Sequence, residues 1–428
     1  MINPASIPEE FLHYIWESKL FKSDGIYTVN KELITIIDTG KRNFDSGPDF
    51  FSARVKIGST LWAGNIEIHI RASDWYTHNH HLDKAYDNVI LHVVEYYDKP
   101  VFNTKEEEIP TLVIGYPDKI KANYKRLLDS KTWIACAEQF HKIDLFTLKL
   151  GYHRLMVERL SDKTSGITQL LRDNRNDWNE TFYQYMARMF GFKVNALPFT
   201  MLVKSVPLHI LSNYRSGILR IEALLFGNAG MLNEQLLGDP YYLQLREEYS
   251  FLYKKHHLKG IESHLWKFMR LRPVNFPTIR IAQFAALVNK SDALFSKVLE
   301  TKKLSDLQAL FNVSASEYWD THYRFNTVSK PVRKNIGLAT VNILIINVVI
   351  PFLFVYGEIR SERSLKDRAL EYLEKLPPEK NSIVGNWATL GVRVRSAFET
   401  QALLQLKNIH CDQKKCLNCQ IGNKLVKT

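Results

Sequence analysis

The sequence predicts an α+β module at the N-terminus followed by a mostly α-helical, irregular domain. Three observations lead to that expectation. Between residues 32 and 114 apolar residues tend to alternate at the period of a strand. From about Lys119 onward they recur at the period of a helix. Gly/Asn/Pro clusters such as Gly227-Asn228-Ala229-Gly230 separate those helical runs at no fixed interval, which argues against a regular solenoid.

Taken in order, residues 8–20 (PEEFLHYIWESKL) predict a short helix, with Pro8, Glu9 and Glu10 at its start and Leu12, Ile15, Trp16 and Leu20 on one face. Strands are expected at 32–38, 50–57, 61–70, 89–97 and 111–114, with Gly58-Ser59 as a tight hairpin and a His-rich crossover over 74–88. Helical runs follow, among them 119–130, 145–160, 178–190, 242–256, 278–288, 365–375 and 390–406. The apolar run 336–356 reads as a buried helix ended near Pro351 rather than a membrane span. These readings divide the chain at 1–130, 131–404 and a C-terminal tail at 405–428.

The composition, 45% apolar and 24% charged, is that of a folded globular chain and excludes a disordered or fibrous one. The start shows no basic then apolar leader, and three of the four cysteines fall within nine residues, unlike a secreted disulfide framework. A cytoplasmic protein with no membrane partner is the expectation. Charge is uneven: residues 1–130 hold 15 Lys/Arg against 19 Asp/Glu, whereas residues 131–428 hold 42 against 26. An acidic front and a basic body suit a metal-using module beside a surface for a polyanion, so nucleic acid is the expected partner.

Candidate chemistry concentrates at 43–92. Gly47-Pro48 turns the chain, Asp49 opens a strand, and the hairpin returns through Glu67-Ile68-His69. A three-residue loop would set Asp49 opposite His69 and bring Asp49, Glu67 and His69 to one face. A two-residue loop sends Glu67 to the other face unless a bulge intervenes. Converging carboxylates suit Mg²⁺ or Mn²⁺, with the backbone carbonyl of Ile68 as a third ligand. His78, His80 and Asp83 form an alternative zinc set in the crossover. His92, in an apolar strand, reads as a hydrogen-bonded core histidine. Trp62, Trp75 and Tyr86 read as packing residues, although Trp75 could stack on a base.

Pro48-Asp49, a hairpin, then Glu67-Ile68-His69 resembles the motif of the PD-(D/E)XK nuclease superfamily. The resemblance implies a restriction-endonuclease-like αβββαβ core, metal held by Asp49 and Glu67, and assistance from a helix glutamate, here Glu10. His69 stands where that superfamily usually has lysine. Over its length the chain also resembles a bacterial family catalogued as domain of unknown function 2851, on Asn43–Phe50 (NFDSGPDF), Trp62–His69 (WAGNIEIH), Ser73–Trp75 and Ile90–Val94.

At the C-terminus, Cys411, Cys416 and Cys419 give C-x4-C-x2-C. His410 or the distant Cys136 is the candidate fourth ligand for zinc. Three C-terminal cysteines with one upstream also resemble the iron–sulfur arrangement of some nucleases of the PD-(D/E)XK superfamily, which implies such a cluster as the alternative. Arg270, Arg272, Arg280, Lys414 and Lys415 are candidate phosphate contacts, as are Arg393 and Arg395. The leading expectation is a Mg/Mn-dependent nuclease-like protein hydrolysing phosphodiesters. A non-catalytic nucleic-acid-binding or scaffold protein and a His-based zinc hydrolase of a small substrate are the alternatives.

Overall fold

The structure, a computed structural model, describes residues 7–22, 24–232 and 238–428. The chain divides into two units, one formed by residues 1–151 together with 406–428, the other by residues 152–405.

The first unit is a mixed α/β unit. Helix α1 (Glu10–Glu17) buries Phe11, Leu12, Tyr14, Ile15 and Trp16. The sheet then assembles from β1 (Ile26–Tyr27), β2 (Leu33–Asp38), β3 (Lys41–Arg42), β4 (Phe50–Ile57), β5 (Thr60–Arg71), β6 (Val89–Tyr96) and β7 (Thr111–Val113). Its order is β1-β2-β4-β5-β6-β7, with β3 pairing β4. The strands from β1 to β5 run antiparallel, whereas β6 and β7 join in parallel. The burial pattern explains why the strands read so clearly. Strand β4 alternates in and out over most of its length, as a one-sided strand must, and the first six residues of β6 are all buried.

The β4–β5 register decides what the site can be. Ile57 pairs with Thr60 around the two-residue loop Gly58-Ser59, so the hairpin takes the register that sends Glu67 away from Asp49. A bulge then reverses it. Ala53 faces Gly64 but Phe50 faces Ile66, three residues of β4 against two of β5. The extra residue sits at Ser52, whose φ of 58° is the left-handed conformation that such bulges use, and whose N–H donates to Asn65 Oδ1 at 3.4 Å. Beyond the bulge Asp49 and Glu67 lie side by side.

Gly64 lets β6 approach. A Cβ there would sit 2.4 Å from Ile90 Cγ2 and 2.6 Å from the Asn88 carbonyl oxygen, and the Asn88 oxygen also accepts the Asn65 N–H at 2.8 Å. Gly64→Ala is therefore expected to destabilise the protein by about 1–3 kcal/mol through overpacking of a backbone contact, read as a lowered urea midpoint with unchanged slope.

The second unit is helical, with long members at Tyr152–Asp173, Trp178–Phe190, Pro240–His256, Pro277–Lys290 and Arg363–Lys375. The segment 261–270 is irregular, with one turn at Ser263–Leu265, and a further helix spans Ala196–Ser205. Pro351 does not end its helix. Helical turns continue from Leu338 to Ile359, a length and composition sufficient to cross a membrane, with 67% of the apolar window buried in the protein. A π-helical turn at Ile345–Val349 immediately precedes the proline. Its wider winding absorbs the missing N–H and the ring, which would clash in a regular α-helix.

Glu222 is fully buried in this unit and accepts a short hydrogen bond from Tyr241 Oη. Burial pushes its carboxyl up from 4.5 to about 7. The folded chain thus holds this proton more tightly than the unfolded chain, so folding stability falls as pH rises through that window. The loss between about pH 5 and pH 8 is expected to reach about 3 kcal/mol, and Glu222→Gln is expected to remove that component of the pH dependence. Urea unfolding of both proteins at the two pH values checks it.

Candidate metal centre

On β5, Glu67 and His69 are two residues apart and share a face. In the parallel pairing Glu67 stands beside His92. His92 is fully buried, and its Nε2 lies 2.8 Å from His69 Nδ1. That contact occupies one nitrogen of His69 and leaves Nε2 for a second partner. Burial, with the neighbouring imidazoles adding to it, holds His69 far below the usual histidine range and His92 down at about 3. Both rings are therefore neutral, and His69 does not supply the fixed positive charge of a lysine.

The crossover supplies two more imidazoles. After β5 the chain forms α2 (Asp74–Thr77) and two short turns at His80–Leu82 and Lys84–Tyr86. Trp75 pins it in place: it is fully buried among Ala72, Tyr86, Val89 and Val94, and its Nε1 donates to the Phe102 carbonyl at 3.0 Å. A residue so enclosed is no platform for a base. Asn79, at φ 62°, reverses the backbone between His78 and His80, a conformation that asparagine tolerates well. His80 stacks on Tyr86 with centroids 3.8 Å apart, and burial holds it below the usual histidine range.

His69, His78 and His80 each place a ring nitrogen within 4.8 Å of the others. His69 Nε2 lies 3.1 Å from His78 Nδ1 and 3.6 Å from Glu67 Oε1, while His80 Nε2 lies 3.2 Å from that same oxygen. A tetrahedral ion with bonds of about 2.0–2.1 Å separates its ligand atoms by about 3.3 Å. The 3.1 Å between His69 Nε2 and His78 Nδ1 is close to that edge. His80 Nε2 also makes no hydrogen bond despite its burial, so its short approach to Glu67 lacks the angle of one. This cluster can hold a metal ion.

Beside the histidines lies a carboxylate pair. The Asp49 N–H donates to Glu67 Oε2 at 3.0 Å, and the Ile68 N–H donates to Asp49 Oδ2 at 2.9 Å. Each side chain closes the other strand's backbone. Burial, then the Asp49 charge, pushes Glu67 up to about 9. His13 on α1 brings Nε2 within 3.1 Å of Asp49 Oδ2, and its Nδ1 faces Arg42 Nη2 at 3.3 Å. Arg42 can only donate, so His13 Nδ1 accepts from it, while Nε2 approaches Asp49 without making a hydrogen bond.

The structure assembles these residues differently from the sequence expectation in three places. The helix carboxylate in the field of Asp49 and Glu67 is Glu9, pushed up to about 7 chiefly by burial. Glu10 instead accepts from Asn418 Nδ2 at 3.2 Å. Successive helical residues point about 100° apart, so only one of the two can face the site. The signal was available: His13 stands four residues from Glu9, on the same helical face. Asp83 caps the turn at 84–86 through the Ala85 N–H at 2.9 Å, and His69 rather than Asp83 joins His78 and His80. At Ile68 the contact shown is through its N–H, which holds Asp49.

Among the basic candidates, Arg280 is buried: its guanidinium donates to Gln283 at 2.9 Å and Asn275 at 2.6 Å and stacks 4.7 Å from Phe192. That engagement takes it out of the phosphate-binding set. Arg270, Arg272, Arg393, Arg395, Lys414 and Lys415 are exposed, with the Lys414 ammonium donating to the Leu128 carbonyl.

Over residues 9–382 the chain matches the model of a family described as Protein of unknown function (DUF2851). No curated protein and no solved structure matches it.

Proposed function

The chain belongs to the DUF2851 family, and from its site we propose a metal-dependent hydrolase whose cation is held by His69, His78 and His80, with Glu67 as the adjoining carboxylate. The observation that carries this reading is the convergence of three ring nitrogens within 4.8 Å. Imidazole ligands suit zinc and its neighbours among the transition metals, whereas Mg²⁺ prefers an all-oxygen shell. Held there, such a cation would supply Lewis-acid chemistry, polarising a substrate oxygen and acidifying a water. Glu9 and Asp49, which share the electrostatic field of Glu67, are our candidates to accept the proton. His92 orients His69 through its Nδ1, as outer residues of metal sites commonly do.

A phosphodiester of nucleic acid is the proposed substrate class. Two features support it: the excess of 42 basic over 26 acidic residues in 131–428, and the Asp49/Glu67-Ile68-His69 layout. The order α1, β2, β4, β5, α2, β6 also follows the αβββαβ sequence of restriction-endonuclease-like cores. In that reading His69 has exchanged the role of the usual lysine for that of a metal ligand.

The test is cleavage of single- and double-stranded DNA, RNA and bis(p-nitrophenyl) phosphate by protein reloaded with Zn²⁺, Mn²⁺ or Mg²⁺. Hydrolysis restored by Zn²⁺ or Mn²⁺ and lost in His78→Ala supports the proposal. Full metal loading with no turnover of any substrate favours a non-catalytic binding protein instead.

A further inference from the structure

The helical unit holds a cavity with polar groups that nothing in the fold satisfies. Phe182, Tyr183 and Met186 fall at i, i+1 and i+4 of the helix Trp178–Phe190, and Phe284, Leu287 and Val288 at i, i+3 and i+4 of the helix Pro277–Lys290. Such spacings put each trio on one helical face. The two faces meet through Tyr183 and Phe284, whose rings stack with centroids 5.5 Å apart. They do not close completely. Together with Phe295, whose ring centroid is 5.3 Å from that of Phe182, they line a cavity of about 210 Å³.

The helix Pro277–Lys290 ends at Ser291, in extended backbone, and the next helix begins at Leu294. That short connection and Arg215 bring polar groups to the cavity wall. Ser291 is 6% exposed, and its Oγ is buried and makes no hydrogen bond. Arg215 Nε is likewise buried and without a hydrogen bond. Neighbouring polar groups of the wall are engaged. Tyr183 Oη donates to the Val206 carbonyl at 2.9 Å, Ser212 Oγ to the Leu208 carbonyl at 2.9 Å, and Asp292 faces Lys297 at 3.1 Å. Lys297 thus balances Asp292, and the Arg215 guanidinium is the charge left over.

A buried donor without a partner is costly, and native structures keep few of them. Water can serve a hydroxyl. A guanidinium is matched best by a planar carboxylate, which accepts on both oxygens. The apolar walls hold that anion to a single charge, since a phosphate dianion would keep a second charge with no partner. Size sets a further bound. An apolar cavity of about 150 Å³ holds one benzene, so 210 Å³ admits a ring with a short chain.

We propose that this cavity binds a small amphipathic monocarboxylate, with its apolar body among Phe182, Phe284 and Phe295 and its carboxylate on Arg215 and Ser291. The aromatic lining favours an aryl group as that body. Every residue of the site belongs to the second unit, and the site does not rest on the histidine cluster.

The test is isothermal titration of the full chain with phenylbutyrate and octanoate, each against its uncharged primary amide. The expected result is saturable one-to-one binding of the acids, with phenylbutyrate the tighter, and amides about 10-fold weaker or more. Arg215→Gln is expected to weaken the acids by about the same factor and to leave the amides unchanged. Ser291→Ala gives a smaller loss. Should either variant fold poorly, carbon-13 methyl spectra of the methionine-labelled wild type decide, because Met186 lines the cavity and its signal must shift on saturation with phenylbutyrate. Absence of saturable binding by both acids overturns the proposal. So do amides that bind as tightly as the acids, acid binding undiminished in Arg215→Gln, or binding that leaves the Met186 methyl unmoved.

Discussion

His78→Ala is expected to weaken metal binding by more than about 100-fold while leaving the fold untouched. Losing an outer partner of a metal-bound histidine typically costs 10–100-fold in affinity, and His78 is placed as a direct ligand. The position is suited to the test because His78 is exposed, so truncation costs at most about 0.5 kcal/mol of stability. His80→Ala removes a ligand too, but it also strips the ring that stacks on Tyr86 at 3.8 Å, which mixes packing with chemistry. Isothermal titration with Zn²⁺, alongside thermal melts of the metal-free proteins, separates the two effects. An unchanged affinity in His78→Ala would count against the histidine ligand set.

The second large effect belongs to Asp49. Asp49→Asn keeps an oxygen for the Ile68 N–H, at 2.9 Å in the parent protein, and so preserves the end of the hairpin. It removes the charge that faces His13 at 3.1 Å and adjoins Glu67. If Asp49 serves proton transfer, hydrolysis is expected to fall by about 10²–10⁴-fold with metal content unchanged. Deleting Ser52 gives a companion result. Without the extra residue the register of the loop runs straight through, Ala53 against Gly64, Phe51 against Asn65 and Phe50 against Ile66, so Asp49 stays beside Glu67 and both metal and activity are expected to be kept. Metal retained with activity lost in Asp49→Asn, and both retained on deleting Ser52, supports separate roles for the histidines and Asp49. Metal lost together with activity in Asp49→Asn places Asp49 among the ligands.

Much of the fold was legible because the physics behind it is local. The strand at 50–57 and the buried run at 89–96 announced themselves through alternation and through continuous apolar burial. The site was legible as a place, since five histidines fall between residues 69 and 92. Its assembly was not. Register depends on one left-handed residue, and Ser52 gives no hint of it, where a glycine would have. Which histidines meet depends on the reversal at Asn79 and on the anchoring of Trp75, both set by tertiary packing of the crossover. Pro351 misled for a related reason: a π-helical turn absorbs a proline that sequence rules take as a stop.

The most direct measurement of the central claim is X-ray absorption at the zinc edge of Cys411→Ser/Cys419→Ser protein loaded with one equivalent of Zn²⁺, which removes sulfur ligation from the signal. The account predicts a nitrogen- and oxygen-bound ion at about 2.0–2.1 Å with the multiple-scattering signature of three imidazoles, reduced to two in His78→Ala. A shell of oxygens without imidazole scattering, the same in both proteins, would contradict it.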